Sequence, residues 1–404
     1  MFRRASRLFW LSAACCSLIA ACTPDTVSDA TQTRQESDTE ATQTPLQATL
    51  IEQVSAAKAE YDLIALGAVI ASSEGLLAVS VDGLRARDET DPVQPDDKWH
   101  LGSNTKALTA LLYGQLVERG LADWSATLPE LFPDLASEMD PAWTEVTIED
   151  LFAHRTGFEQ MGGFWLNARR NDERPVTEQR HEVTAQILLE PPAKDPSEFN
   201  YNNLNYIIAG AAIEQILSTD ETLPQSWEAA MQTLVFDRLR DPVHQNGFGF
   251  GAPQAGLQGH RSVFGTFITP VGRGKTADNP AILGPAGTLH GTLAAHALLA
   301  TEFLKQDSDL IPAALREKLT TPYPDPDGDY AMGWGVYDDP VVGELWLHSG
   351  SNTVWYSQIA VSKRLDRVVI VNTNQFSDAA QTAANQVIKN VLIAAQDAQA
   401  EQIE

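Results

Sequence analysis

The sequence predicts an α+β protein. An antiparallel β-sheet, built from both ends of the chain and flanked by terminal helices, carries a mostly helical lobe inserted between its halves. Three observations predict this. Two apolar, β-rich runs lie early in the chain, and several more fill the last hundred residues or so. The long middle shows helical periodicity broken by Pro and Gly, and helical periodicity returns after the last β-rich run. Strands at both ends can bury their apolar faces by joining one sheet, with helices laid over it.

The first 22 residues read as a leader. Arg3, Arg4 and Arg7 make a positive start, followed by an apolar stretch over 8–21. That stretch falls short of the roughly 20 apolar residues a spanning helix needs, and fits the apolar region of a secretory signal. It ends in Leu18-Ile19-Ala20-Ala21-Cys22, which resembles a bacterial lipobox. Cys22 is therefore expected to be lipidated and to hold the protein at the periplasmic face of a bacterial membrane. The alternative is an ordinary signal peptide in which Cys22 is incidental. Residues 23–46 are rich in Thr, Gln, Asp, Glu and Ser, too polar to offset the entropy of ordering, and read as a flexible tether. The folded domain is expected over 47–398, with its sheet lobe at about 47–100 and 300–398 and its helical lobe at about 101–299.

Within that domain, Leu50, Ile51, Val54, Ala57 and Tyr61 recur at helical spacing. Runs at 64–72 and 76–81, separated by Ser73-Glu74-Gly75, predict a hairpin. Residues 103–119 predict one helix, with Leu108, Leu111, Leu112 and Leu116 on its apolar face and Gly120 as its stop. A glycine-rich loop follows at 246–265. Strands are expected at 330–337, 344–348, 353–361 and 367–373, the last two joined by Lys363-Arg364-Leu365-Asp366, before a final helix at 377–396.

Composition excludes several functions. The formal net charge is −26, which repels nucleic acid and anionic lipid surfaces, so no nucleic-acid partner is expected and any membrane contact is through the lipid alone. The three cysteines, Cys15, Cys16 and Cys22, all fall in the leader. The mature domain is left without a disulfide framework, a thiol nucleophile or a thiolate zinc site. The eight histidines show no H-E-x-x-H spacing. No G-x-S-x-G elbow or G-x-x-x-x-G-K-[ST] loop appears either. No metal or cofactor is expected.

Ser103-Asn104-Thr105-Lys106 is an S-x-x-K. Three residues apart on a helix, the amine can approach the hydroxyl. A serine needs a base to take its proton, and a lysine serves once its pKa is depressed by burial or by positive charge. Alone the motif is equally well explained by a helix-capping serine with an exposed lysine one turn on. A second S-x-x-K, Ser55 to Lys58, sits in the first helix and reads as coincidental. Tyr201-Asn202-Asn203 is a Y-x-N in a loop that runs into an apolar helix. Its phenol could move a proton beside a lysine, and Asn203 could hold a substrate carbonyl and the lysine head. His348-Ser349-Gly350 ends a strand, where Gly350 permits close backbone approach. The N–H of Ser351 could then join that of Ser103 as a two-donor oxyanion hole.

The ordered set of S-x-x-K, Y-x-N and H-x-G resembles the family of class C β-lactamases, D-alanyl-D-alanine peptidases and related esterases. Trp99-His100-Leu101-Gly102, residues 116–123 and 147–157, Gly284-Pro285-Ala286-Gly287 and Gly333-Trp334-Gly335 extend the likeness over about 48–395. The resemblance implies a β-lactamase/transpeptidase-like fold and acyl transfer. Ser103 would be the nucleophile, assisted by Lys106 and Tyr201; Asn203, His348, Ser349, Gly350 and Ser351 would bind a small-molecule or peptide substrate. The chain departs from the β-lactamase branch in carrying His348 where that branch has a lysine. A neutral histidine holds a substrate carboxylate poorly, so efficient β-lactam turnover is not expected; the peptidase and esterase branches of the family accept H-x-G, so the resemblance implies an esterase or D-alanyl-D-alanine carboxypeptidase over a true β-lactamase. His296 stands where relatives usually carry an aspartate and reads as structural; Trp355 reads as core. The other reading is a catalytically silent relative that binds cell-wall peptide or a partner. The intact Ser103, Lys106, Tyr201 and Asn203 favour the enzyme.

Overall fold

The computed structural model describes residues 44–263 and 267–401. Cys22, the leader and nearly all of the 23–46 tether lie outside the described residues. The first helix begins at Pro45, slightly before the expected end of the tether, and runs to Glu60. Thr44 caps it, its hydroxyl accepting from the Gln47 N–H at 3.2 Å, and Pro45 occupies a first-turn position where its missing N–H costs nothing.

Six antiparallel strands form the main sheet. Their order is Gly75–Gly83, Ala65–Ser72, Arg367–Thr373, Tyr356–Ser362, Gly343–Ser351 and Gly335–Asp339. The two ends of the chain meet at its centre, where Val69 lies opposite Ile370 and Ile370 opposite Ile359. Successive side chains alternate between two buried faces. Leu66, Ala68, Ile70, Val369 and Val371 pack under the first helix and the last, Asp378–Glu401, with Leu50, Val54, Val387 and Val391. Val69, Val361, Val368 and Ile370 face the other way, into the larger core shared with Leu108, Leu111 and Leu293. Burial on both faces explains why Ala65–Ser72 reads as an unbroken apolar run.

The inserted part is mostly helical. It also contains a three-stranded sheet ordered Lys98–His100, Leu289–Thr292, Phe248–Phe250, and a hairpin of His260–Val263 with Phe267–Pro270. The expected glycine-rich loop at 246–265 thus holds two short strands. Among the described residues no helix is long and apolar enough to cross a membrane.

Three strand or helix starts differ from expectation, each for a local reason. The strand expected from 330 begins at Gly335, because Gly333 takes φ +84° and closes a turn in which Ala331 N–H bonds the Trp334 carbonyl. The strand expected from 353 begins at Tyr356. Thr353 has φ +74°, held by its N–H on the Ser351 hydroxyl at 2.9 Å and by the Val354 N–H on the Asn352 side chain at 3.3 Å. The helix expected from 103 opens with a 3₁₀ turn, Gly102–Asn104, before Thr105–Glu118.

Candidate active site

Gly102 sets the position of Ser103. It holds φ +53°, and its α-carbon approaches the Gly350 and Ser351 backbone so closely that a β-carbon would collide with both. Gly350 is restricted from the other side, where a β-carbon would overlap the Leu101 carbonyl and lie 2.7 Å from the Ser103 nitrogen. Two glycines therefore let the helix start and the strand end touch, which brings the Ser103 and Ser351 backbone nitrogens to the same contact.

One turn on, Lys106 is fully buried. Its Nζ contacts Asn203 Oδ1 at 2.7 Å, the Ala286 carbonyl at 2.6 Å and Ser103 Oγ at 3.1 Å. Burial lowers its pKa from the usual 10.5 to about 7. As an ammonium it has three N–H donors for three acceptors. As a neutral amine it keeps two N–H for Asn203 and Ala286 and turns its lone pair to Ser103. The same geometry thus serves a proton donor and a proton acceptor.

Asn202 caps the helix Asn203–Leu217 by accepting from the Leu204 N–H at 3.0 Å, which places Asn203 on its first turn. The Asn202 side-chain amide also donates to the Phe158 and Glu159 carbonyls, each at 3.0 Å, fixing the loop that presents Tyr201. The Tyr201 ring lies 5.0 Å from Lys106 Nζ. Burial raises its phenol to about 12, with the neighbouring Ser103 side chain pulling the other way. At neutral pH the phenol keeps its proton and is a donor.

His348 stands beside them, its ring centroid 6.3 Å from that of Tyr201. Asn104 donates to Ser357 Oγ at 2.8 Å, so its Oδ1, 3.3 Å from His348 Nδ1, accepts the histidine proton. Nε2 is then the acceptor toward the Tyr330 hydroxyl at 3.4 Å. Burial, reinforced by Lys106, lowers His348 to about 3, so it is neutral throughout the physiological range. Ser349 is on the alternate face of the strand, exposed, with its hydroxyl beside that of Tyr356. The structure thus gathers Ser103, Lys106, Tyr201, Asn203, His348 and the Gly350–Ser351 backbone, and leaves the Ser349 side chain outside the cluster.

Several members are not singled out by the sequence motifs. The Ala286 carbonyl belongs to a segment marked only by resemblance, and Asn104 sits unremarked within the S-x-x-K itself. Tyr330 precedes Gly333 in the turn that displaces a predicted strand. Trp355 is core, edge-on to Trp99 at 6.4 Å, and His296 is buried and held near 4 by desolvation. Ser55 is exposed on the first helix, apart from this cluster. Among the described residues no group of three or more His, Cys, Asp or Glu side chains could hold a metal.

Comparison with known proteins agrees with this architecture. The chain is 25% identical over 316 residues to the unguisins hydrolase ungD' of Aspergillus campestris, covering 72% of this chain and 55% of that protein. It spans about half the length of the curated relatives it matches. The D-amino acid amidase of Ochrobactrum anthropi superposes with a TM-score of 0.68 at 15% identity, covering 88% of this chain and 100% of the amidase. A beta-lactamase from Sulfitobacter gives 0.67 at 18%, covering 86% and 99%. At such identities these two likenesses establish the fold. The Beta-lactamase family model matches residues 50–392, nearly all of the described chain, and the protein belongs to that family.

Proposed function

We propose that this protein is a serine hydrolase of the cell envelope that forms an acyl-enzyme on an ester, an amide or a D-amino-acid peptide. The observation that carries the reading is the buried Lys106 amine, 3.1 Å from Ser103 Oγ and poised near neutrality. Neutral Lys106 takes the Ser103 proton as Oγ bonds the acyl carbon. The carbonyl oxygen gains its charge between the Ser103 and Ser351 amides. Lys106, with the Tyr201 phenol beside it, returns a proton to the leaving group as its bond breaks. Water then attacks the acyl-enzyme, gives its proton to the same pair, and the acid leaves with Ser103 restored.

The substrate preference follows from charge. With His348 neutral and buried, the strand-end position offers no cation to a substrate carboxylate. That supports an ester or amide substrate without a carboxylate over a β-lactam, and the hydrolase and amidase named among the similar proteins accord with it; the carboxypeptidase reading, whose substrate also ends in a carboxylate, rests on the H-x-G resemblance alone. The expected result is rapid turnover of p-nitrophenyl butyrate, with benzylpenicillin giving at most a slowly released mass adduct on Ser103. Rapid benzylpenicillin turnover would overturn the preference. Neither turnover nor adduct would leave the silent, peptide-binding reading.

The envelope location rests on the leader and Cys22. Membrane fractionation checks it: the parent should sediment with membranes and Cys22→Ser should not. A Cys22→Ser protein that still sediments would sink the lipid anchor.

A further inference from the structure

Behind the oxyanion contact lies a second pair that the hydrolytic steps do not use. His100 ends the strand Lys98–His100 and is buried. Its Nδ1 accepts the Gly102 N–H at 3.0 Å. Its Nε2 lies 2.7 Å from Asp278 Oδ1, a close contact without the alignment of a hydrogen bond. That oxygen accepts from the Asn352 side-chain amide at 2.9 Å and from the Asn279 N–H at 2.7 Å. Gly102 immediately precedes Ser103, and Asn352 immediately follows Ser351. Through one imidazole and one carboxylate, the two peptide segments that supply the hole amides are tied to each other.

Burying a histidine and a carboxylate is costly, and an apolar pair of similar volume would fill the space at less expense. What the polar pair adds is a connection: His100 accepts from Gly102, Asp278 accepts from Asn352, and the two side chains meet at 2.7 Å. The loop is itself anchored, as Arg170 donates to the Lys275 carbonyl at 3.2 Å and to the Asp278 carbonyl at 3.1 Å.

We infer that His100 and Asp278 are positioning residues that lock the Ser103 and Ser351 amides at the spacing an oxyanion requires. The inference rests on the serine-hydrolase reading above and deepens it. Losing a hole donor costs about 10²–10³ in kcat, and an ångström of misplacement costs about 10².

The test is p-nitrophenyl butyrate hydrolysis by His100→Phe, Asp278→Ala, their combination and Asp278→Asn, with hydrogen exchange on peptides spanning 101–105 and 349–353. Each disrupting variant is expected to lower kcat about 100-fold with KM near the parent value. The double variant should be no worse than either single, because both cut one connection. Asp278→Asn, which keeps an acceptor toward Asn352 and a side chain of the same size against His100, should retain most of the rate. Asp278→Ala should lose exchange protection in both peptides. Unchanged kcat, losses that multiply in the double variant, or protection unchanged at 101–105 overturns the inference. If His100→Phe does not fold, Asp278→Ala carries the test alone. A parent no faster than Ser103→Ala would defeat the hydrolase reading instead, and the exchange result would still decide the brace.

Discussion

Replacing Ser103 with alanine is expected to lower ester hydrolysis by about 10⁴-fold or more, because no other group in the cluster can form the covalent intermediate. Asn203 and Ala286 continue to hold Lys106. The backbone turn at Gly102 depends on His100 and Gly350, not on the Ser103 hydroxyl. The variant loses one hydrogen bond from Lys106, worth about 0.5–1.5 kcal/mol, so its unfolding midpoint in urea should lie close to that of the parent. Intact mass after reaction with a fluorophosphonate separates the outcomes: the parent should gain one adduct and Ser103→Ala none. Full activity or labelling in Ser103→Ala would show that another residue is the nucleophile.

The Ser103–Lys106 pair is legible in the sequence because the S-x-x-K spacing is local: one turn puts the hydroxyl and the amine within reach of each other. The meeting of the sheet's two ends is also legible, since Ala65–Ser72 and Arg367–Thr373 are both apolar runs of strand length. What escapes depends on residues far apart in the chain. Lys106 owes its lowered pKa to burial, which its own helix does not dictate. His100 and Asp278 are separated by most of the inserted part, and nothing in either neighbourhood announces the other. Strand starts depart from expectation where positive φ intervenes, at Gly333 and Thr353. Glycine hides such a turn among many ordinary glycines. Thr353 hides it further, because a β-branched residue is seldom found there and is held by side-chain bonds that only the fold supplies. The Ser349 expectation is tied to the motif, whereas strand alternation turns its side chain away from His348 and Gly350.

The second large effect is expected from Lys106→Met, which keeps length and apolar volume but removes the base. General-base assistance contributes about 10²–10⁴, so acylation should fall by that order. The pH dependence identifies the base in the parent. Only the neutral amine can take the Ser103 proton, so kcat/KM should rise with pH through about 7, where Lys106 loses its proton. Lys106→Met should lack that rise. Stability should move with the same group. The folded-state pKa is lowered from 10.5 to about 7, so between those values the unfolded chain binds more protons, and raising the pH favours folding. Below about 7 both states hold the proton, and the folded state carries the whole cost of a buried ammonium. The methionine variant escapes that cost but leaves Asn203 Oδ1 and the Ala286 carbonyl without their donor, at about 1–3 kcal/mol each. Its stability relative to the parent should therefore be most favourable at or below about pH 7 and decline as the pH rises toward 10.5. Urea unfolding of both proteins across that range measures the difference. A difference that does not change with pH would mean that Lys106 keeps its proton in the folded state, and the proton acceptor for Ser103 would have to be sought elsewhere in the cluster.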